Sequence, residues 1–122
     1  KIIKKLIDSP LWQDQFSFFY PTKKVKPSWF GFPVLINKKY LSKKKKFLNF
    51  LYQKGIETRM IISGNFMNHP GIQLYNLNPS KRIFNNAQEI EDRGFFIGIH
   101  TKPISRETLN YLEKNLLTID KL

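Results

Sequence analysis

Apolar positions change period several times along this chain, and each change predicts an element. Ile2, Ile3, Leu6 and Ile7 fall on one side of two helical turns over Lys1–Asp8, which Ser9-Pro10 stops. Phe16, Phe18, Phe19 and Tyr20 make an extended apolar run ended by Pro21, and the lysines and prolines of Pro21–Pro27 read as exposed loop. Trp29–Ile36 is almost continuously apolar, the pattern of a strand buried on both faces, with Trp29 and Phe30 as core. Pro33 lacks an amide hydrogen and belongs at an edge or bulge. Ser42 is placed to cap a helix over Lys43–Lys54, with Phe47, Leu48, Leu51 and Tyr52 inward and Gly55 as the stop.

Glu57–Ile62 reads as a second strand, and Ser63–Pro79 as an irregular segment longer than ordinary connections. Asn86 and Glu89 fit a capping box for a short helix that ends at Arg93 and Gly94. Phe95–His100 gives a third strand, with His100 a strand-end histidine. Ser105 caps the last helix, Ile104 and Leu109 are spaced as a hydrophobic staple, and Leu109, Leu112 and Leu116 should face the sheet. The order β-α-β-(loop, short α)-β-α implies an α+β fold of two layers, about three strands with helices packed on one face. Residues 1–26 read as a connector, whose Trp12 and aromatic run need a cover, and residues 27–122 as the domain proper.

Composition narrows the classes. A 122-residue chain with 41% hydrophobic and 15% aromatic residues can bury one core and not two. There is no cysteine, and the two histidines lie far apart, so neither a disulfide framework nor a zinc site is indicated; no metal is expected. No apolar run approaches the roughly 20 residues that span a bilayer, so no membrane partner is expected. The net charge of +12 invites a nucleic-acid reading. Its distribution argues against it: residues 1–55 hold 13 Lys, no Arg and two acids, whereas residues 56–122 hold four Lys, four Arg and seven acids. Bidentate base and phosphate readout favours arginine. The excess of Lys with Ile and Asn matches AT-biased coding, and Lys43–Lys46 read as a solvated run at the unfavourable end of a helix dipole.

The chemistry concentrates in Ile56–Gly71. A strand-like run there carries Arg59, then breaks at Ser63-Gly64-Asn65 into a polar stretch closed by His69-Pro70-Gly71. Arg59 has two readings: an ion pair with Glu57 at i, i+2, or a bidentate grip on a carboxylate or phosphate. Gly64 permits positive φ, so Ser63, Asn65 and nearby amides can converge on a ligand; an ordinary turn ending a strand is the plainer alternative. His69, held extended by Pro70, can hydrogen-bond a ligand hydroxyl or move a proton. The sequence has no phosphate-binding glycine loop and no catalytic triad at a known spacing.

The loop, with Pro27-Ser28-Trp29-Phe30-Gly31-Phe32-Pro33-Val34-Leu35-Ile36 before it and Gly94-Phe95-Phe96-Ile97-Gly98-Ile99-His100 after it, resembles the C-terminal part of the DegT-type sugar aminotransferases. These are pyridoxal phosphate enzymes of nucleotide-sugar biosynthesis. Ser63-Gly64-Asn65 with His69-Pro70 is most similar to the branch of CDP-4-keto-6-deoxyglucose 3-dehydrases. The family's Glu-Thr-Arg motif maps onto Glu57, Thr58 and Arg59, with Met60 where proline usually follows. The resemblance implies the small domain of a fold-type I enzyme, with Arg59, Ser63, Asn65 and His69 as substrate-binding residues. It implies a parent that acts on a nucleotide-linked 4-keto-6-deoxyhexose for O-antigen or lipopolysaccharide synthesis, as a 3-dehydrase or an aminotransferase. It further implies a cytoplasmic homodimer and a larger N-terminal domain, and a chain that opens on Lys fits that expectation. Pyridoxal or pyridoxamine phosphate would be held in the parent and not by these residues alone. The family's Schiff-base lysine, or the histidine that replaces it in dehydrases, lies in the large domain, so no catalytic residue is expected here. The alternative from another class is a basic α+β module that binds nucleic acid.

Overall fold

A computed structural model describes residues 9–19, 21–75 and 84–122. The expected helix over Lys1–Asp8, Tyr20 and residues 76–83 of the long loop lie outside the described residues. Four short strands form one antiparallel sheet: β1 (Phe16–Phe18), β2 (Gly31–Ile36), β3 (Thr58–Arg59) and β4 (Gly94–Gly98), in the order β1-β2-β4-β3. The three strands read from the sequence are present but shorter, and β1 is an addition. Pro33 stands opposite Phe96 on β4, one position past the end of the β1 pairing, so β2 is open on that flank where its amide hydrogen is missing.

Register sorts the side chains onto two faces. Phe16 and Ile36, then Phe18, Val34 and Phe95, then Phe32, Ile97 and Thr58 lie in rows on one face. Ser17, Leu35 and Gly94, then Pro33, Phe96 and Arg59 lie on the other. The first face carries the core, in which Trp12, Phe16, Val34, Ile36, Phe47, Leu51, Ile56, Phe95, Leu116 and Ile119 are buried together. Helix α1 (Pro10–Gln15) supplies Trp12, α2 (Lys44–Gln53) supplies Phe47 and Leu51, and α4 (Arg106–Leu116) supplies Leu116. These three helices share one face of the sheet, as the two-layer reading expects.

Within the segment read as a connector, Trp12 and Phe16 join the core. Trp12 is fully buried and its ring lies 5.2 Å from that of Phe16, which in turn meets Phe95 edge-on at 6.4 Å. Trp12 and Phe16 are covered by the chain's own core, whereas Phe19 is exposed. Pro10 opens α1, where its fixed φ and missing N–H are favourable.

Other boundaries moved for local reasons. Ser42 caps nothing, because a 3-10 turn over Lys38–Lys43 runs directly into α2. Tyr52 is exposed, not inward. Gly55, at φ +71°, ends α2 as expected: its amide bonds Tyr52 O at 2.9 Å and the Ile56 amide bonds Leu51 O at 2.9 Å. This is the Schellman pattern, with Ile56 and Leu51 both buried. Helix α3 (Asn85–Arg93) starts one residue before Asn86 without a side-chain cap, and Glu89 pairs with Lys38 and Arg93 in place of a capping box. Ser105 does cap α4, accepting from the Thr108 amide at 3.1 Å. The lysines of Lys43–Lys46 are not simply solvated: Lys44 Nζ donates to Glu91 O at 3.0 Å and Asp92 O at 2.7 Å, the carbonyl end of α3. Burial pushes its pKa down, against the raising charges of Asp92 and Glu91.

Candidate functional site

Strand β3 brings Arg59 to the sheet edge, on the face opposite the core and level with Phe96. There its Nε donates to Glu57 Oε1 at 3.0 Å, with a second nitrogen 2.9 Å from the same oxygen. Both side chains are largely exposed, so the pair contributes little stability and leaves the guanidinium available. The chain then turns at Ile61–Gly64, closed by Gly64 N to Ile61 O at 3.2 Å. Ser63 takes φ +67° in that turn and is exposed, a conformation that costs a non-glycine residue about 1 kcal/mol. Gly64 at φ +47° has a second reason to lack a side chain: a Cβ would fall 2.9 Å from the Cβ and Cγ of Glu91.

Asn65 is buried and turned towards α3. Its amide donates to Glu91 Oε2 at 2.7 Å, its Nδ2 to Gln88 Oε1 at 2.9 Å, and its Oδ1 accepts from the Met67 amide at 3.2 Å. The last bond caps a 3-10 turn over Phe66–Asn68. Asn65 therefore builds the loop, and the sequence-level picture of its carboxamide and amide aimed at one ligand is not the arrangement seen here. His69 is exposed, stacks on Phe66 with centroids 5.8 Å apart and planes 11° apart, and accepts the Gly71 amide on Nδ1 at 3.1 Å. Accepting on Nδ1 makes the neutral ring an Nε2–H donor. His100 accepts the Lys102 amide on Nδ1 at 3.0 Å, a local turn contact as expected for a strand-end histidine.

Beside this loop lies an apolar groove of about 430 Å³ on the outer face of the sheet, lined by Pro27, Trp29, Phe30, Pro33, Ile61, Ile62 and Phe96 among others. Trp29 is 37% and Phe30 71% exposed, so the reading of both as core is corrected: β2 begins only at Gly31 and leaves them on the surface. Phe30 meets Phe96 edge-on at 5.3 Å, and Gly31 is required because a Cβ there would sit 2.5 Å from the Phe96 ring. Ile61 and Ile62 of the groove lead directly into Ser63, so the loop and the groove are continuous. Among the described residues no group of His, Cys, Asp or Glu could hold a metal ion. Arg59, Ser63 and His69 are thus presented outward and Asn65 is not. Sequence reasoning missed Gln88 and Glu91, whose i, i+3 spacing on α3 was the available signal.

No family model matches the chain. The chain is 32% identical over 89 residues to the GDP-4-keto-6-deoxy-D-mannose 3-dehydratase of Escherichia coli O55:H7, covering 73% of this chain and 23% of that one. It is 31% identical over 94 residues to the lipopolysaccharide biosynthesis protein RfbH of Salmonella typhimurium, covering 75% and 20%. Among solved structures, the E. coli GDP-4-keto-6-deoxy-D-mannose-3-dehydratase with bound hydrated PLP superimposes with a TM-score of 0.73 at 26% identity, over 94% of this chain and 28% of that one. The chain belongs to the DegT-type family, and its sequence relatives include a sugar 3-dehydratase. The resemblance drawn from the loop and its flanking strands holds, as does the α+β class. The chain spans about a fifth to a quarter of the length of these curated relatives.

Proposed function

We propose that this chain is the C-terminal small domain of a nucleotide-sugar 3-dehydratase that removes the C3 hydroxyl of a 4-keto-6-deoxyhexose. The observation that carries the reading is the exposed Arg59, Ser63 and His69 following an apolar groove on the outer sheet face, in a chain related in sequence to such a dehydratase. In this role Arg59 grips a carboxylate or phosphate bidentately, exchanging its weak pair with Glu57. Ser63 and the His69 Nε2–H hydrogen-bond sugar oxygens, and Asn65 holds the turn that aims them. The groove, with its edge-on Phe30 and Phe96, excludes water once the larger N-terminal domain covers it.

Residues 56–71 contain no lysine or cysteine, and Lys43, Lys44 and Lys46 are engaged by backbone carbonyls, so these residues do not fit a covalent attachment point for a cofactor. Pyridoxal or pyridoxamine phosphate, held elsewhere in the parent, would supply the electron sink that such a dehydration needs. Homodimer assembly, a cytoplasmic site of action and a place in O-antigen or lipopolysaccharide synthesis belong to the same reading. Among the described residues no helix is long and apolar enough to cross a membrane. Transamination of the keto sugar is the less favoured outcome, because the relatives matched in sequence at 31–32% include a named 3-dehydratase and none is named an aminotransferase. Nothing in the comparisons supports the nucleic-acid alternative.

The test is product analysis with the full-length protein, pyridoxamine phosphate and GDP-4-keto-6-deoxymannose. A 3-deoxy sugar that keeps its ketone supports the proposal. A 4-amino sugar, or unchanged substrate with the cofactor bound, refutes it.

A further inference from the structure

Two side chains on one face of α3 hold the whole candidate loop. Glu91 uses both carboxylate oxygens on it: Oε2 accepts the Asn65 amide at 2.7 Å and Oε1 accepts Asn68 Nδ2 at 3.1 Å. Gln88, one turn earlier, accepts both Asn65 Nδ2 and Asn68 Nδ2 on Oε1 at 2.9 Å. Its Nε2 donates to Asp92 Oδ1 at 2.9 Å, which fixes the amide orientation that makes Oε1 the loop's acceptor. The close packing of Gly64 on Glu91 leaves no room for the loop to slide along the helix. The helix is itself fixed, by Lys44 on its terminal carbonyls and by Arg93 Nε on Ile36 O of β2 at 2.7 Å.

We propose that Gln88 and Glu91 are positioning residues, which clamp the 63–69 loop and so determine where Ser63 and His69 meet the ligand. The inference rests on the function proposed above and adds to it the device that orients the site. Each acts through Asn65 and Asn68. A charged acceptor on a backbone amide is a strong hydrogen bond, and an acceptor shared by two carboxamides couples both ends of the 3-10 turn.

The experiment uses the full-length protein with GDP-4-keto-6-deoxymannose and compares Glu91→Ala, Glu91→Gln and Gln88→Ala with Glu89→Ala as control. Glu89 lies on the same helix but pairs with Lys38 and Arg93 and touches no loop residue. Amide exchange over residues 63–71 should accelerate in Glu91→Ala and Gln88→Ala, and KM should rise about tenfold with a smaller change in kcat. Glu91→Gln, which keeps one acceptor oxygen, should fall between Glu91→Ala and the parent. Glu89→Ala should leave both loop exchange and KM unchanged. Unaltered loop exchange in Glu91→Ala overturns the clamp itself. Faster exchange with an unchanged KM overturns the positioning role and removes the loop from the ligand site, while product formation still reports separately on the dehydratase reading. A KM rise in Glu89→Ala equal to that in Glu91→Ala also overturns it, since the effect would then belong to the helix as a whole.

Discussion

At the scale of single residues, the two tryptophans and Asn65 separate stability from function. Trp12 is fully buried among core rings, and Trp12→Ala should cost about 3–5 kcal/mol of unfolding free energy. Trp29 lies on the groove, so Trp29→Ala should cost the chain's own fold less than about 1 kcal/mol, read as a small shift in the urea midpoint. The run Trp29–Ile36 gave no sign of this difference, because a continuous apolar stretch looks the same whether the chain or a neighbouring domain covers its first residues. Asn65→Ala should lower stability by about 1–3 kcal/mol, since it strips a buried carboxamide from Gln88 and the cap from Met67. The spacing of Ser63-Gly64-Asn65 announced a tight polar turn. It could not announce which way Asn65 faces, because its partners Gln88 and Glu91 lie more than 20 positions away.

At the scale of elements, glycines and surface pairs fix the joints. Gly94 passes directly from α3 into β4 in extended conformation, and a Cβ would stand 2.3 Å from the Ile90 carbonyl oxygen. Gly94→Ala should therefore reach the top of the roughly 1–3 kcal/mol range for overpacking. Gly55→Ala meets no atom within 4 Å and should cost only about 1–2 kcal/mol, for its positive φ. Thermal midpoints of the two variants would show that order. Asp14 joins α1 to the turn before α2: hydrogen bonds from Lys39 and then Tyr40 hold its carboxyl below the ordinary value. Bonds from Lys38 and then Arg93 do the same for Glu89. A carboxylate whose folded pKa is depressed stabilises the fold above its unfolded pKa and loses that contribution as pH falls through the folded value. Asp14→Asn and Glu89→Gln should thus lower the midpoint at neutral pH and converge with the parent as the pH falls below the depressed folded-state pKa. Helix and strand periods made most elements legible, including the Gly55 stop and the Ser105 cap. Strand β1 was legible only as an extended run, because Phe16–Phe18 is three residues long and its pairing with β2 is a tertiary choice.

At the scale of the whole molecule, the sheet has a finished face and an unfinished one. The helices close the first over a continuous aromatic and aliphatic core. The second keeps Trp29, Phe30 and Ile62 exposed around the groove, with Arg59 at its edge strand and the Ser63–His69 loop continuous with it. The two-layer architecture and the resemblance to sugar-modifying enzymes were readable from the order of the motifs, because strand runs and capping signals survive in a single sequence. The outer groove was not, because it depends on register: only the pairing of Pro33 with Phe96 and of Phe96 with Arg59 places these residues side by side. The central claim is that this outer face and its loop meet the nucleotide sugar. The most direct test is a paired measurement on His69→Ala in the full-length protein: kcat/KM for GDP-4-keto-6-deoxymannose and the unfolding midpoint. His69 is exposed and, among the described residues, bonds only locally, so the midpoint should hold while kcat/KM falls about tenfold or more, a loss of roughly 1.4 kcal/mol in transition-state stabilisation. Full activity in His69→Ala, or a loss of activity that follows a loss of stability, would contradict the account.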